Sequence, residues 1–406
     1  MIHSISATLT VNPVPTPSPT PTPIPTPTPS VLTSFVLPDT SSHTVYVDPN
    51  LHLIDLSLNG SGIWQKQDLM TAPGATLATR SGTLASIVNV GGCPHVFYID
   101  VSHQFNDIFL ANITGGCAST WSYNNLTMLS GTSILALADR PISTIGPSSD
   151  ALQSQFYVGS GGAIYRLYWP STGGVFNQTL TTGEDNPNTS GSPLASFVNA
   201  GGCLHVFYVD TVFHFRDVFQ SNINGGCSST WSTNDYTVIT GASNFVTTAS
   251  PISPIGPSNE ASASEFYVSR NDNHVYRLYW PSSGGVFNQD LTILAGGPLP
   301  ISKSGLTSIV NAGGCPHVFY VDTNQHVSSL FLANIGGGCA SSWSYQDITI
   351  ASGAGNNAAA GSAITSLGPT VDALQSEFYV GTNQDIFRIF WQTTGVNNQD
   401  VTLLLP

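Results

Sequence analysis

Three arginines recur in this 406-residue chain in one setting: Arg166 in IYRLYW, Arg277 in VYRLYW and Arg388 in IFRIFW. Two residues on stands an aromatic ring, Tyr168, Tyr279 or Phe390, followed directly by Trp169, Trp280 or Trp391. Side chains alternate between the faces of a strand, so each arginine shares its face with the ring two positions away. A guanidinium beside an aromatic ring suits a sugar, whose hydroxyls accept from the fork while its apolar face lies on the ring. The same arginines align with Asp55, Asp107, Asp217 and Ser329 in other copies of the repeat. That alignment opens a second reading, in which Arg–Asp pairs hold neighbouring repeats in register.

His95, His205 and His317 stand at one place in HVFYID or HVFYVD. Alternation puts His95, Phe97 and Ile99 on one face and Val96, Tyr98 and Asp100 on the other, so His95 and Asp100 cannot share a site. A catalytic histidine need occur only once, and one repeated at a fixed strand position reads as a packed, hydrogen-bonded structural residue. Carboxylates are few and scattered through the repeats, without the close pair a glycosidase needs. GxSxG, HExxH and phosphate-cradling glycine loops are absent as well. The chain therefore reads as a binding or structural protein rather than an enzyme, with no cofactor and no metal.

The elements that position these residues come from internal repetition. GGCPHVFYID from Gly91, GGCLHVFYVD from Gly201 and GGCPHVFYVD from Gly313 open three long units, each with a second GGC and then Trp121, Trp231 or Trp343. Between them lie three shorter units, FYVGSGGAIYRLYW from Phe156, FYVSRNDNHVYRLYW from Phe266 and FYVGTNQDIFRIFW from Phe378, and a degenerate unit from Thr44 with Trp64 opens the series. Apolar residues alternate within each unit, and Gly, Asn, Ser and Pro punctuate them, as in short antiparallel strands. A repeat of roughly 40 to 60 residues with about four strands fits a propeller blade, because a ring of blades closes its own edges. The fold expected for residues 31–406 is all-β, a seven-bladed β-propeller of four-stranded antiparallel blades.

Only 8% of residues are charged and the net charge is −14, which argues against nucleic acid or an anionic membrane as partner. No apolar run approaches the roughly 20 residues of a membrane-spanning helix. The six cysteines form three pairs with a constant separation of 24 residues, Cys93 with Cys117, Cys203 with Cys227 and Cys315 with Cys339. Each pair is placed at the start of one strand and the end of the next in a hairpin, within reach of a disulfide. Such bonds and so uncharged a surface indicate an extracellular or cell-surface protein.

Residues 13–30 are a Pro/Thr-rich linker, PVPTPSPTPTPIPTPTPS, that cannot build a core and favours extended polyproline II. Ahead of it, residues 1–12 include ISATLTV, a lone N-terminal strand with Ile5, Ala7, Leu9 and Val11 on one face. A strand without a local partner on a stiff spacer reads either as a linker remnant or as a strand donated to another molecule.

The phrases HVFYVDTNQHVSSLFL, VYRLYW and NQDLT resemble the repeats of the fucose-specific lectin superfamily, over residues 43 to 406. Its members are propellers that bind fucosylated glycans in pockets between blades. A pocket there takes an Arg from a strand like IYRLYW, a Glu from the following strand region and a Trp or Tyr from the neighbouring blade. The resemblance implies glycan contacts for Arg166, Arg277 and Arg388, and for Trp169, Trp280 and Trp391. No Glu follows these arginines; Thr179, Asp290 and Asp400 are the nearest polar residues. The function expected is extracellular carbohydrate binding through repeated interblade pockets. The alternative is a homo-oligomer, a surface filament in which the N-terminal strand docks on the next propeller.

Overall fold

The computed structural model describes residues 31–404 apart from the short segments 81–83, 138–139, 184–185, 188–190, 224–225, 243–245, 249–250 and 336–337. The expected N-terminal strand with Ile5, Ala7, Leu9 and Val11, and the linker that follows it, lie outside the described residues. From residue 32 onward the chain builds seven sheets, each of four consecutive antiparallel strands in sequence order. These are blades 1 to 7, spanning 32–68, 84–125, 143–179, 194–235, 253–290, 306–347 and 364–400. The chain is thus the expected seven-bladed β-propeller.

First strands of neighbouring blades face one another around the central channel, and blade 7 meets blade 1 there. Short hydroxyl pairs tie these inner strands, each at 2.7 Å: Thr33 to Ser86, Ser143 to Ser196, Ser253 to Ser308, and Ser34 to Thr365 across the closure. The core is seven apolar layers, one in each gap between blades. Both faces of every sheet are therefore packed, which is why strands such as Pro94–Ile99 are buried at all six positions despite their polar members.

Alternating strand direction sends the first and third hairpins of every blade to one face of the disc. The second hairpin and the link to the next blade lie on the opposite face. On the first of these faces the GGC phrase forms a tight turn: Asn89 Oδ1 accepts from the Gly91 and Cys93 amides, and Gly92 adopts φ +79°. A Cβ on Gly91 would lie 2.6 Å from the Asn112 side chain, so both glycines are required. The three disulfides form as paired in the sequence, with Cα–Cα distances of 5.3 to 5.5 Å. Their placement differs from the expected hairpin: Cys93 precedes the second strand of blade 2 and Cys117 lies in its fourth strand. Each bond thus reaches over the end of the third strand.

On the opposite face, the Asp of FYVD makes the second hairpin. Asp100 Oδ1 accepts from the Ser102 and Gln104 amides, and Asp322 does the same for Asn324 and His326. The fourth strand of several blades runs into a single helical turn, Leu126–Leu129, Tyr236–Ile239, Leu291–Ala295 and Ile348–Ala351, capped by Asn125, Asp235, Asp290 and Asp347. The first residue of each turn is buried, and the threonine after it accepts from the amide that opens the third strand, as Thr127 does for Phe105 at 2.8 Å.

Candidate functional site

Arg166, Arg277 and Arg388 sit on third strands in mid-blade and are almost fully buried. Each points into the gap shared with the next blade, so the relevant gaps are 3/4, 5/6 and 7/1. The Arg166 guanidinium lies 4.3 Å from the Tyr168 ring and 5.7 Å from Trp231 of blade 4. Arg277 lies 4.4 Å from Tyr279 and 5.3 Å from Trp343, and Arg388 lies 4.4 Å from Phe390 and 5.8 Å from Trp64. The pairing of each arginine with the ring two residues on therefore holds.

The second aromatic wall comes from other tryptophans than those expected. Trp169, Trp280 and Trp391 occupy the other face of the strand and pack on the preceding blade, Trp280 against Tyr236 at 5.1 Å and Trp391 against Phe319 at 5.9 Å. The reason is parity: a residue adjacent to the arginine must face the opposite way. The rings that do close the arginine gaps, Trp231, Trp343 and Trp64, are on fourth strands of the following blade.

The acidic partner is also different. Arg166 makes a bidentate pair with Asp150 at 2.8 Å on both arms, and Arg388 does so with Asp372 at 2.7 and 2.8 Å. Both carboxylates lie in the first hairpin of the arginine's own blade, so the expected interblade Arg–Asp pairing does not occur. Burial pushes the Asp150 and Asp372 carboxyls up, but the arginine bonds and charge outweigh it and hold both below the ordinary carboxylate range. Asp55, Asp107 and Asp217 instead bond His43, His95 and His205 within their own sheets at 2.8 to 2.9 Å. His95 stacks on Phe109 at 5.2 Å, the structural role expected of it. In blade 6, where Ser329 replaces the aspartate, burial drives His317 down to about 4.

The three gaps are chemically unequal. Glu260 replaces the aspartate beside Arg277 and reaches it through one bond at 2.7 Å, leaving Arg277 Nη2 buried with no partner among the described residues. Trp231 Nε1 is likewise buried without an acceptor, whereas Trp121 in gap 1/2 donates to Gln67 Oε1 at 3.0 Å. In gap 3/4 a cavity of about 470 Å3 opens on the face that carries the disulfides, lined by Asp150, Arg166, Tyr168, Gln178, Gln220 and Trp231 among others. Gln220 of blade 4 donates to Asp150 Oδ2 at 3.1 Å and so ties the carboxylate across the gap.

Thr179, Asp290 and Asp400 do not enter these gaps. Thr179 ends a fourth strand, Asp290 caps a helical turn and bonds His274 at 2.6 Å, and Asp400 accepts from the Leu403 amide. The carboxylates that do enter were marked in the sequence by GPSSDA, GPSNEA and GPTVDA, a repeated acid 16 or 17 residues before each arginine. Three His–Asp groups near the second hairpins bring ligand-type atoms within 4.8 Å of one another, around His214, His274 and His326. Turn and cap hydrogen bonds account for them, and Arg216 already fills the one at His214 by bonding Asp210 at 2.8 Å.

No family profile matches the chain, and no curated protein matches its sequence. Solved structures do match its fold. The BP39L lectin from Burkholderia pseudomallei superposes with a TM-score of 0.64 at 13% identity, covering 90% of this chain and 96% of that one. A mutant of AofleA from Arthrobotrys oligospora gives 0.51 at 10% identity, covering 79% and 87%. The fucose-specific lectin from Aleuria aurantia gives 0.49 at 13%, covering 91% and 93%. The protein thus shares the fold of lectin propellers, as the repeat phrases implied.

Proposed function

We propose that the protein is an extracellular lectin that binds neutral glycans in the gaps where a short-unit blade meets the next blade. The observation that carries this reading is the gap 3/4 cavity, where two rings, a carboxylate and two amide side chains converge at an open, half-buried site. Arg166 acts mainly by holding Asp150 ionised and in place, and the carboxylate accepts from sugar hydroxyls. The guanidinium of this pair is buried and the carboxylate faces the opening, which disfavours sialic and uronic acids. Repetition around the ring supplies avidity for branched or clustered glycans. The disulfides and the sparse charge fit the extracellular setting, and the lectin folds above support the ligand class.

A glycan array that includes fucosylated and sialylated structures tests the reading. The expected result is binding to uncharged glycans, weakened about tenfold, or roughly 1.4 kcal/mol, in a Tyr168→Ala/Tyr279→Ala variant with an unchanged melting curve. No glycan bound, or binding indifferent to those two rings, would overturn it.

A further inference from the structure

The helical turns on the face opposite the pockets carry a feature that neither folding nor glycan binding uses. After a buried apolar residue and a threonine, two more large apolar residues follow and point outward: Val238 and Ile239 are 66% and 53% exposed, Ile293 and Leu294 68% and 53%, and, in the turn after the last strand, Leu403 and Leu404 80% and 52%. Single exposed apolar side chains are ordinary, but adjacent pairs at the ends of several blades, on a surface otherwise rich in Ser, Thr, Gly and Asn, form a crown that exposes apolar area.

The polypeptide itself indicates what covers it. Val31 lines the mouth of the central channel, a cavity of about 700 Å3, together with the residues that open the first strands of the other blades. First strands start on the crown's face, so the described chain begins there, at Val31, preceded in the sequence by residues 1–30. That segment contains no Asp, Glu, Lys or Arg, and its apolar positions Ile5, Ala7, Leu9 and Val11 alternate. Residues 13–29, at about 3.1 Å each, reach roughly 50 Å. Three strand spacings of about 4.8 Å place the fourth strand only about 14 Å outside the first. The arm is therefore long enough to pass the crown of its own blade and reach that of another molecule.

We infer that the crown is a docking surface for residues 1–12 of a second copy of this chain, so that propellers associate through one face while the pockets stay open on the other. A heterologous contact of this kind, arm to crown, propagates into chains of molecules. The glycan reading is independent of it.

Sedimentation of the full chain over a range of concentrations tests the inference, alongside two full-length variants. One carries Ile5→Asp/Leu9→Asp in the arm, and the other Val238→Ser/Ile239→Ser/Ile293→Ser/Leu294→Ser in the crown. The expected result is concentration-dependent association of the unaltered chain, monomers for each variant alone, and one-to-one pairs when the two variants are mixed, since one supplies the intact crown and the other the intact arm. A monomeric unaltered chain, association retained in either variant, or a mixture that stays monomeric would overturn it. So would crown-dependent binding to phosphatidylcholine vesicles that persists in the arm variant while the unaltered chain remains monomeric, which would assign the crown to a lipid surface. Glycan binding, read on the same variants, is expected to be unchanged.

Discussion

Glu265 shows how strongly one residue can act inside a packed ring. It is fully buried in gap 4/5, neither carboxyl oxygen has a partner among the described residues, and burial, with Asp217 nearby, holds it well above the ordinary carboxylate range. The folded chain therefore keeps a proton that the unfolded chain releases near the ordinary value of 4.5. Stability contributed by this group is present below that pH and is lost as pH rises toward the folded-state value. Blade 3 places Gln155 at the same position, so the site accepts an amide. Glu265→Gln is expected to raise the melting temperature at pH 8 and to bring little change near pH 4. Thermal melts at both pH values check this, and a variant that melts lower at pH 8 would contradict it.

At the scale of the element, the long blades are stapled and the short ones are not. Each disulfide closes a loop with a separation of 24 residues, worth about 3 kcal/mol by chain entropy. Reduction of all three is expected to lower the melting temperature by roughly 10 °C for a ring of this size. Calorimetry with and without reductant measures it, and an unchanged transition would show that the bonds do not constrain the unfolded chain. The strands and the cysteine pairs were legible in the sequence because alternation and equal spacing are local signals. That a bond spans from before the second strand to the fourth was not, since it depends on where the third strand ends and bulges between Leu110 and Asn112.

Across the whole molecule, closure is non-covalent, held by apolar packing and by the Ser34–Thr365 hydroxyl pair. Blade 1 and blade 7 are each made from one continuous segment, with no strand shared between them. Trp64 meets Phe378 edge-on at 6.2 Å and lies beside Arg388, within the apolar layer that seals the ring. Trp64→Ala is expected to cost about 3 to 5 kcal/mol. It should also increase hydrogen exchange selectively in blades 1 and 7, because the ring opens at its one non-covalent seam. Exchange spread evenly over all seven blades would argue against that seam.

The sequence by itself determined the number of blades, their strands, the cysteine pairs and the partnership of Arg166, Arg277 and Arg388 with Tyr168, Tyr279 and Phe390. All of these follow from period-two alternation and from repetition. Only the tertiary structure decided which blade each arginine faces, that Asp150, Glu260 and Asp372 are its partners, and that Trp231, Trp343 and Trp64 rather than Trp169, Trp280 and Trp391 close the gap. Strand parity says which residues share a face but not which neighbour that face meets. The handedness with which seven twisted sheets pack around a closed ring settles the neighbour.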